Sequence, residues 1–151
     1  MDISEPHLKE TVEGLLETLP PVWDSIRSNL RAAGTVKFGI TLEQFHVLRH
    51  IRRGYQSVGD LAVKKQISRS AVSQAIEVLV AKGLVNRRQE SGDRRCVLLE
   101  LTSHANEVLD ANYAETRSWM EGKMASLDRE DLGCVTRAMD ILKGTFTPEE
   151  S

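Results

Sequence analysis

The stretch SRSAVSQAIEVLVAKGLVNRRQESGDRRCVLLELT, residues 68–102, constrains the fold more than any other part of the sequence. Its first half repeats apolar residues at three- and four-residue steps, which is the period of an amphipathic helix. Gly83 then ends the helical pattern, as glycine commonly does at a helix C-terminus. Two short strand-like runs follow on either side of the turn segment QESGDRR. These features predict a helix that leads directly into a β-hairpin.

The same region is strongly basic, although the chain as a whole has a small negative net charge. Residues 64–95 contain eight basic and three acidic side chains, a net charge of +5, whereas the whole chain carries −2. The segments on either side are net negative. A basic centre between acidic flanks predicts one surface that faces a polyanion. The alternative is an ordinary solvated charged face.

The rest of the chain has mainly helical periodicity. The first segment, with leucines at three- and four-residue steps, is expected to be a helix that kinks or breaks at Pro20-Pro21 and ends near Ala33-Gly34, because proline removes a backbone donor and clashes with the preceding turn. Ser68 is the predicted N-cap of the helix at 68–82, and four further helices are predicted with N-caps at Thr41, Ser57, Thr102 and Asp128. The predicted fold class is therefore mainly α with a small β-hairpin wing, the wing being the hairpin that follows Gly83.

Two helices, a tight turn between them and a hairpin after the second form a winged helix-turn-helix, with the second helix as the recognition helix. The major groove of DNA, about 12 Å wide, admits one α-helix whose exposed side chains read base edges. Val72, Ile76, Leu79 and Val80 are expected to face the core. The polar face opposite them is the predicted DNA-reading surface, formed by Ser68, Arg69, Ser70, Ser73 and Gln74.

The hairpin supplies the second predicted DNA contact. Arginines at the end of a narrow ribbon suit a minor groove about 6 Å wide, where the negative potential favours arginine. Asp93, two residues before Arg95, is expected to brace the Arg95 guanidinium in an extended pose. The predicted wing and phosphate contacts are Lys64, Lys65, Arg87, Arg88, Asp93, Arg94 and Arg95.

The segments SRSAVSQAIEVLVAKGLVNR and DRRCVLLELT resemble the recognition helix and wing of the MarR family of bacterial transcriptional regulators. ITLEQFHVLRHI and SVGDLAVKKQ are similar to that family's second and third helices. The resemblance implies an obligate homodimer built by the first and last helices, a minor-groove contact by Arg95, and a small-molecule effector bound between the dimer and DNA-binding regions. The chain departs from the family pattern at Gln74-Ala75, where many members carry a basic or bulkier residue, and at Pro20-Pro21.

The terminal helices also support a dimer by themselves, because their apolar stripes are too large for the small central lobe to cover. The expected organisation is a dimerisation region (residues 1–34 and 103–146), a winged helix-turn-helix DNA-binding lobe (35–102) and a tail (147–151). A two-fold dimer presents two recognition helices about 34 Å apart, one DNA turn, so the expected partner is double-stranded DNA with a pseudopalindromic operator. A ligand pocket is expected to be lined by Trp23, Arg27, His46 and Trp119, although packed aromatics explain the same residues.

Other classes of function are less well supported. His46 and His50 have the spacing of a two-histidine metal pair, but no recognisable motif accompanies them, so neither a metal nor another cofactor is predicted. No nucleophile–base pattern of an enzyme is visible. The apolar runs are shorter than the roughly 18 residues of a membrane span, and two widely spaced cysteines suggest a reducing cytoplasm. The alternatives are a winged-helix protein-interaction module without DNA readout and a metal-responsive regulator using His46 and His50.

Overall fold

The computed structural model describes residues 4–90 and 92–147 of the 151-residue chain. The elements follow in the order α1 (Ser4–Phe38), α2 (Leu42–Arg52), α3 (Val58–Lys65), α4 (Arg69–Ala81), β1 (Val85–Glu90), β2 (Asp93–Leu101), α5 (Ser103–Met124) and α6 (Arg129–Phe146). This order confirms the predicted mainly α fold with one β-hairpin.

The chain divides into two compact units, residues 1–116 and 117–151. This division by compactness does not test the predicted boundaries between the dimerisation region and the DNA-binding lobe, so those boundaries remain a prediction. Of the predicted tail, residues 148–151 lie outside the described residues.

The prediction for the first helix was wrong. α1 is one continuous helix that passes through Pro20-Pro21 and Gly34 and ends at Phe38. The two prolines lack the N–H groups that would bond the carbonyls of Leu16 and Glu17. Both of those residues are exposed, so water can bond the released carbonyls and the helix tolerates the loss. Gly34 does not end the helix because the chain needs its left-handed turn only at Gly39, where φ is +63°.

The predicted N-caps are confirmed. Each cap residue accepts a hydrogen bond from a backbone N–H three residues later, which satisfies one of the free donors at a helix start. The pairs are Thr41 and Gln44 (3.2 Å), Ser57 and Asp60 (3.0 Å), Ser68 and Ala71 (3.1 Å), Thr102 and Ala105 (3.1 Å), and Asp128 and Asp131 (2.8 Å). Thr41 and Gln44 form a complete capping box.

A single core lies in the first unit. α2, α3 and α4 contribute its centre, including Phe45, Leu61 and Ile76, each at most 1% exposed. Leu99 of β2 and Leu109 of α5 are also buried in this core, so the hairpin and α5 pack against the three helices. This packing holds α3 and α4 together, so their outer faces have a fixed relation to the hairpin.

The hairpin pairs β1 and β2 antiparallel, from Val85 opposite Leu101 to Glu90 opposite Asp93, with an irregularity at Gln89/Glu90. Its base is tied to neighbouring elements in two places. The Leu99 amide donates to the carbonyl of Gln56 (2.8 Å), before α3. The Thr102 hydroxyl donates to the carbonyl of Gly83 (2.8 Å). Gly83 follows the end of α4 and has a φ of +71°. The recognition helix and the hairpin are therefore joined at one corner.

The second unit consists of the end of α5 and all of α6. The predicted α6 extends from Arg129 past Gly144 to Phe146. Within the described part of the chain, no residue of α6 is buried, and several of its large apolar side chains are exposed. Across residues 4–90 and 92–147, we found no helix with both the length and the apolar character needed to cross a bilayer.

Candidate nucleic-acid interface

A three-residue turn, Gln66–Ser68, joins α3 to α4. Gln66 adopts a left-handed conformation (φ 54°, ψ 42°), and its N–H bonds back to the carbonyls of Ala62 and Val63. The Ile67 amide also bonds the Ala62 carbonyl (3.1 Å), which closes the end of α3. Ser68 then caps α4. The arrangement is a helix-turn-helix whose turn geometry is fixed by backbone hydrogen bonds.

The recognition helix α4 buries one face and exposes the other. Val72, Ile76 and Leu79 are buried as predicted, but Val80 is exposed, so its predicted place in the core was wrong. Val80 lies at the edge of the buried stripe, where the packed elements do not cover it. Among the predicted DNA-reading residues, Ser73 is half-buried, and the exposed ones are Ser68, Arg69, Ser70 and Gln74.

Arg69 begins α4 and extends toward the first turn of α3. Its guanidinium lies beside Gly59, and Ser57 is close to the same point. The side chain therefore bridges the two helices of the helix-turn-helix rather than pointing away from them. Gly59 was not singled out from the sequence, because its contact with Arg69 depends on how the two helices pack.

The wing carries basic side chains in several settings. Arg87 on β1 and Arg95 on β2 are exposed. Arg88 forms an ion pair with Glu100 on the opposite strand, with Nε 3.3 Å from Oε1. The predicted contacts from Asp93 and Arg94, and the bracing of Arg95 by Asp93, concern side chains outside the described residues, so they remain predictions.

The two predicted phosphate-binding lysines of α3 contact other residues of the protein. Lys65 Nζ is 3.1 Å from Glu43 Oε2, and its side chain is 11% exposed. The hydrogen bond from Lys65 lowers the pKa of Glu43, although partial burial opposes it. Lys64 Nζ lies 5.3 Å from the centre of the Tyr55 ring. Lys64 is exposed, but a phosphate contact by Lys65 would have to break its ion pair with α2.

His46 and His50 lie one turn apart on α2, and both are half-buried. Burial, followed by the nearby Arg49, lowers the pKa of His46, and the same causes lower the pKa of His50 to about 4. The His50 ring meets the Tyr55 ring edge-on, with centroids 5.7 Å apart, and Nδ1 has no hydrogen-bond partner in the described residues. A search of those residues found no group of three or more histidine, cysteine, aspartate or glutamate side chains suited to a metal ion.

The predicted ligand-pocket residues belong to α1 (Trp23 and Arg27), α2 (His46) and the second unit (Trp119), so the pocket as a whole remains a prediction. Trp23 is exposed on α1, and Trp119 belongs to the second unit. Arg27 lines a cavity of about 300 Å³ between α1 and the start of α2. The other lining residues are Arg31, Thr35, Thr41, Leu42 and Glu43. A binding function for this cavity stays a prediction.

Lys82 lies at the C-terminal end of α4, and in the sequence it is one of the eight basic residues of the segment 64–95. Its ammonium donates to the carbonyl of Gly39 (2.5 Å) and to Gln44 Oε1 (3.1 Å). Both acceptors lie about 40 residues earlier in the chain. A local pattern therefore gave no signal for this contact.

The arrangement of an exposed polar recognition helix beside a basic hairpin agrees with comparisons to known proteins. The MarR family profile matches residues 38–95. The HTH-type transcriptional regulator YdgG of Bacillus subtilis is 28% identical over 115 residues, which cover 74% of this chain and 76% of YdgG.

Two solved structures resemble the fold closely. A MarR family protein from Bacillus stearothermophilus superposes with a TM-score of 0.79 at 21% identity, over 92% of this chain and 97% of that one. Streptococcus pneumoniae FabT, solved in complex with DNA, has a TM-score of 0.71 at 14% identity, over 89% and 96% of the two chains. At these identities the superpositions establish the winged-helix fold.

Proposed function

We propose that this chain is a helix-turn-helix transcriptional regulator of the MarR family, a family of transcription factors and not of enzymes, and that it acts as a homodimer on an inverted-repeat operator. In this proposal it is a cytoplasmic repressor that occupies promoter DNA. A small molecule releases it by changing the separation of the two recognition helices.

One observation carries the proposal: the exposed polar face of α4 lies next to a basic hairpin. Ser70 and Gln74 are exposed on α4, and Arg87 and Arg95 are exposed on the wing. The small serine lets the helix approach the DNA backbone, and a Gln amide can bond both polar atoms on the major-groove edge of adenine. The wing arginines would then reach the adjacent backbone and minor groove. The structurally similar FabT was solved in complex with DNA, which supports DNA binding by this fold.

Exposed apolar side chains support the homodimer. On α1, Leu16 is 70% exposed, and on α6, Phe146 is 71% exposed. Both helices carry further exposed apolar residues, which are Leu8, Val12, Leu19, Val22, Leu132, Val135, Met139 and Ile141. Burying one such side chain contributes about 1.5–3 kcal/mol. A second copy of the chain is the occupant that a two-fold regulator requires.

The effector part of the proposal is supported by the cavity that Arg27 and Arg31 line together with Glu43, because these charged groups suit a small polar molecule. The cavity touches both α1 and the start of α2. A ligand there that favours one recognition-helix spacing would shift the dimer away from the DNA-binding arrangement.

Selection from randomised duplexes with the purified protein tests the proposal, together with sedimentation to determine the mass of the complex. We expect enrichment of an inverted repeat with half-sites about one DNA turn apart, bound by two chains, with affinity that falls steeply with salt. Enrichment of no duplex at low ionic strength would refute DNA recognition. Binding of a single half-site by one chain would refute the dimeric operator.

A further inference from the structure

Hydrogen bonds connect the linker between α1 and α2, residues 39–41, to both helices. Gly39 turns the chain with φ of +63°. The Ile40 amide donates to the carbonyl of Gly34 (3.2 Å), and the Thr35 hydroxyl donates to the carbonyl of Ile40 (3.4 Å). Thr41 then begins α2 through its capping box. The end of α1 and the start of α2 are therefore joined by local hydrogen bonds through Ile40.

Lys82 attaches the recognition helix to this linker. Its ammonium donates to the Gly39 carbonyl (2.5 Å) and to Gln44 Oε1 (3.1 Å). The same Gln44 oxygen accepts the Thr41 amide (3.1 Å) of the capping box. Gln44 Oε1 thus joins the start of α2 to the end of α4. The other acceptor of Lys82, the Gly39 carbonyl, belongs to the residue that follows α1.

A second bond holds the same end of α4 to another element. The Thr102 hydroxyl donates to the Gly83 carbonyl, directly after Lys82. The start of α4, by contrast, carries the exposed residues that would enter the major groove. Core packing of Val72, Ile76 and Leu79 holds the body of α4. The attachments at its C-terminal end add a further constraint on its tilt, and one of them leads to the residue that follows α1.

We propose that Lys82 is a positioning residue that ties the tilt of the recognition helix to α1, so that the dimer accepts only a narrow range of half-site separations. This role rests on the proposed function, in which α1 forms part of the dimer. A phosphate contact is the competing role for a lysine in a basic segment. The two oxygen acceptors within the protein favour the positioning role, because they already engage the ammonium.

The experiment measures binding of purified full-length protein to operators whose two half-sites are separated by the selected spacing and by one or two base pairs more or fewer. Each added base pair rotates one half-site by roughly 35° relative to the other. Lys82→Met keeps most of the apolar stem and removes the donor. Lys82→Arg keeps a charged donor. Lys37→Met removes a lysine at the end of α1 that pairs with Glu115 (2.8 Å), and it serves as the matched control.

Lys82→Met removes both hydrogen bonds of the ammonium, and we expect it to reduce the wild-type preference for the selected spacing by about three- to tenfold. The base preference within each half-site should stay unchanged. Lys82→Arg should restore most of the spacing preference, and Lys37→Met should keep the wild-type profile. If Lys82→Met does not fold, Lys82→Gln supplies the test, because its shorter side chain cannot reach both acceptors.

Two results would overturn the role of Lys82 while leaving DNA binding intact. The first is an unchanged spacing profile in Lys82→Met. The second is an equal loss of affinity at every spacing, with a salt dependence weaker by about two phosphate contacts per dimer (one for each chain), which identifies a phosphate contact. Failure of the wild-type protein to bind any duplex is a different result, since it refutes the proposed function and, with it, this role.

Discussion

Arg69 lies against Gly59, so that a methyl group at residue 59 would be 3.1 Å from Arg69 Nη2 and 3.6 Å from Cζ. The contact joins the first residue of the recognition helix to the first turn of α3. It exists because residue 59 has no side chain. Gly59 thereby leaves room for a guanidinium at the edge of the proposed DNA-binding surface.

We predict that Gly59→Ala lowers operator affinity several-fold while the protein stays folded. Alanine in the first turn of α3 should raise helix stability by up to about 1 kcal/mol, since glycine is a poor helix former, but it displaces the flexible end of Arg69. Calorimetry and fluorescence anisotropy measure the two effects. In an Arg69→Ala background the same substitution should leave affinity unchanged, and an equal loss there would show that Arg69 is not the cause.

The sequence predicted the parts of the fold that depend on near neighbours. All five helix caps join residues three positions apart, and the buried stripe of α4 follows from the helical period at Val72, Ile76 and Leu79. Val80 was placed wrongly because periodicity cannot say how far neighbouring elements extend over a helix.

Contacts between distant parts of the chain could not be predicted. Lys65 meets Glu43 across 22 residues, and Lys82 meets Gly39 across 43. In the sequence, all basic residues of the central segment contribute equally to its net charge. Packing divides them into side chains tied to the protein, such as Lys65, and side chains exposed on the wing, such as Arg87. The continuity of α1 was missed because Pro20-Pro21 is a strong local signal. The exposure of Leu16 and Glu17, which allows water to donate to the released carbonyls, depends on how the chain folds.

We predict that Arg95→Ala reduces operator affinity at least about tenfold, because the exposed wing residue would lose a minor-groove contact. The melting temperature and the dimer mass should remain those of the wild type. Gel-shift titration measures the change. Arg129→Ala, which removes the same charge at the start of α6, is the control and should bind with nearly wild-type affinity. Wild-type binding by Arg95→Ala would eliminate the wing from the mechanism.

We predict that Gln74→Ala changes base preference more than overall affinity. Gln74 is exposed on α4, and a bidentate contact with adenine discriminates against other bases by about 1–3 kcal/mol. Selection from randomised duplexes should show relaxed preference at one symmetry-related pair of positions. Recovery of the same consensus with both proteins would contradict a reading role for this side chain.

We predict that Gly34→Ala destabilises the protein, although alanine is the better helix former. Gly34 is buried in α1, and a methyl group there would lie 3.2 Å from Asn112 Nδ2 and 3.4 Å from the Ile40 carbonyl oxygen. Asn112 is fully buried, and its Nδ2 bonds the Leu30 carbonyl at 3.5 Å, so it has little room to move. Overpacking of this kind costs about 1–3 kcal/mol.

Gly14→Ala in the same helix is the matched control. A methyl group at residue 14 meets no atom within 4 Å, so the variant should gain about 0.5–1 kcal/mol from helix propensity. Urea denaturation at one protein concentration compares the two variants. Equal stability changes in both would show that Asn112 and Ile40 adapt to the added methyl group.

We predict that the free energy of unfolding falls as the pH drops from about 6.5 toward 4. The pKa of His50 is about 4 in the folded protein and 6.5 without burial and its cationic neighbours. Between these values the unfolded chain binds a proton that the folded protein does not, so acid favours unfolding. The lowered pKa of His46 acts in the same direction. The loss from the lowered pKa of Glu43 comes later, as the pH falls below its ordinary value of 4.5.

His50→Gln cannot take up a proton, so its stability should depend less steeply on pH across this window. Urea denaturation at pH 7, 6 and 5, at constant protein concentration, measures the slope. The absolute stability of the variant can be lower, because the edge-on contact between His50 and Tyr55 is lost. The pH dependence of the free energy of unfolding remains informative, because its slope depends on the difference in bound protons between the unfolded and folded states. An identical slope in His50→Gln and the wild type would mean that another group takes up the proton.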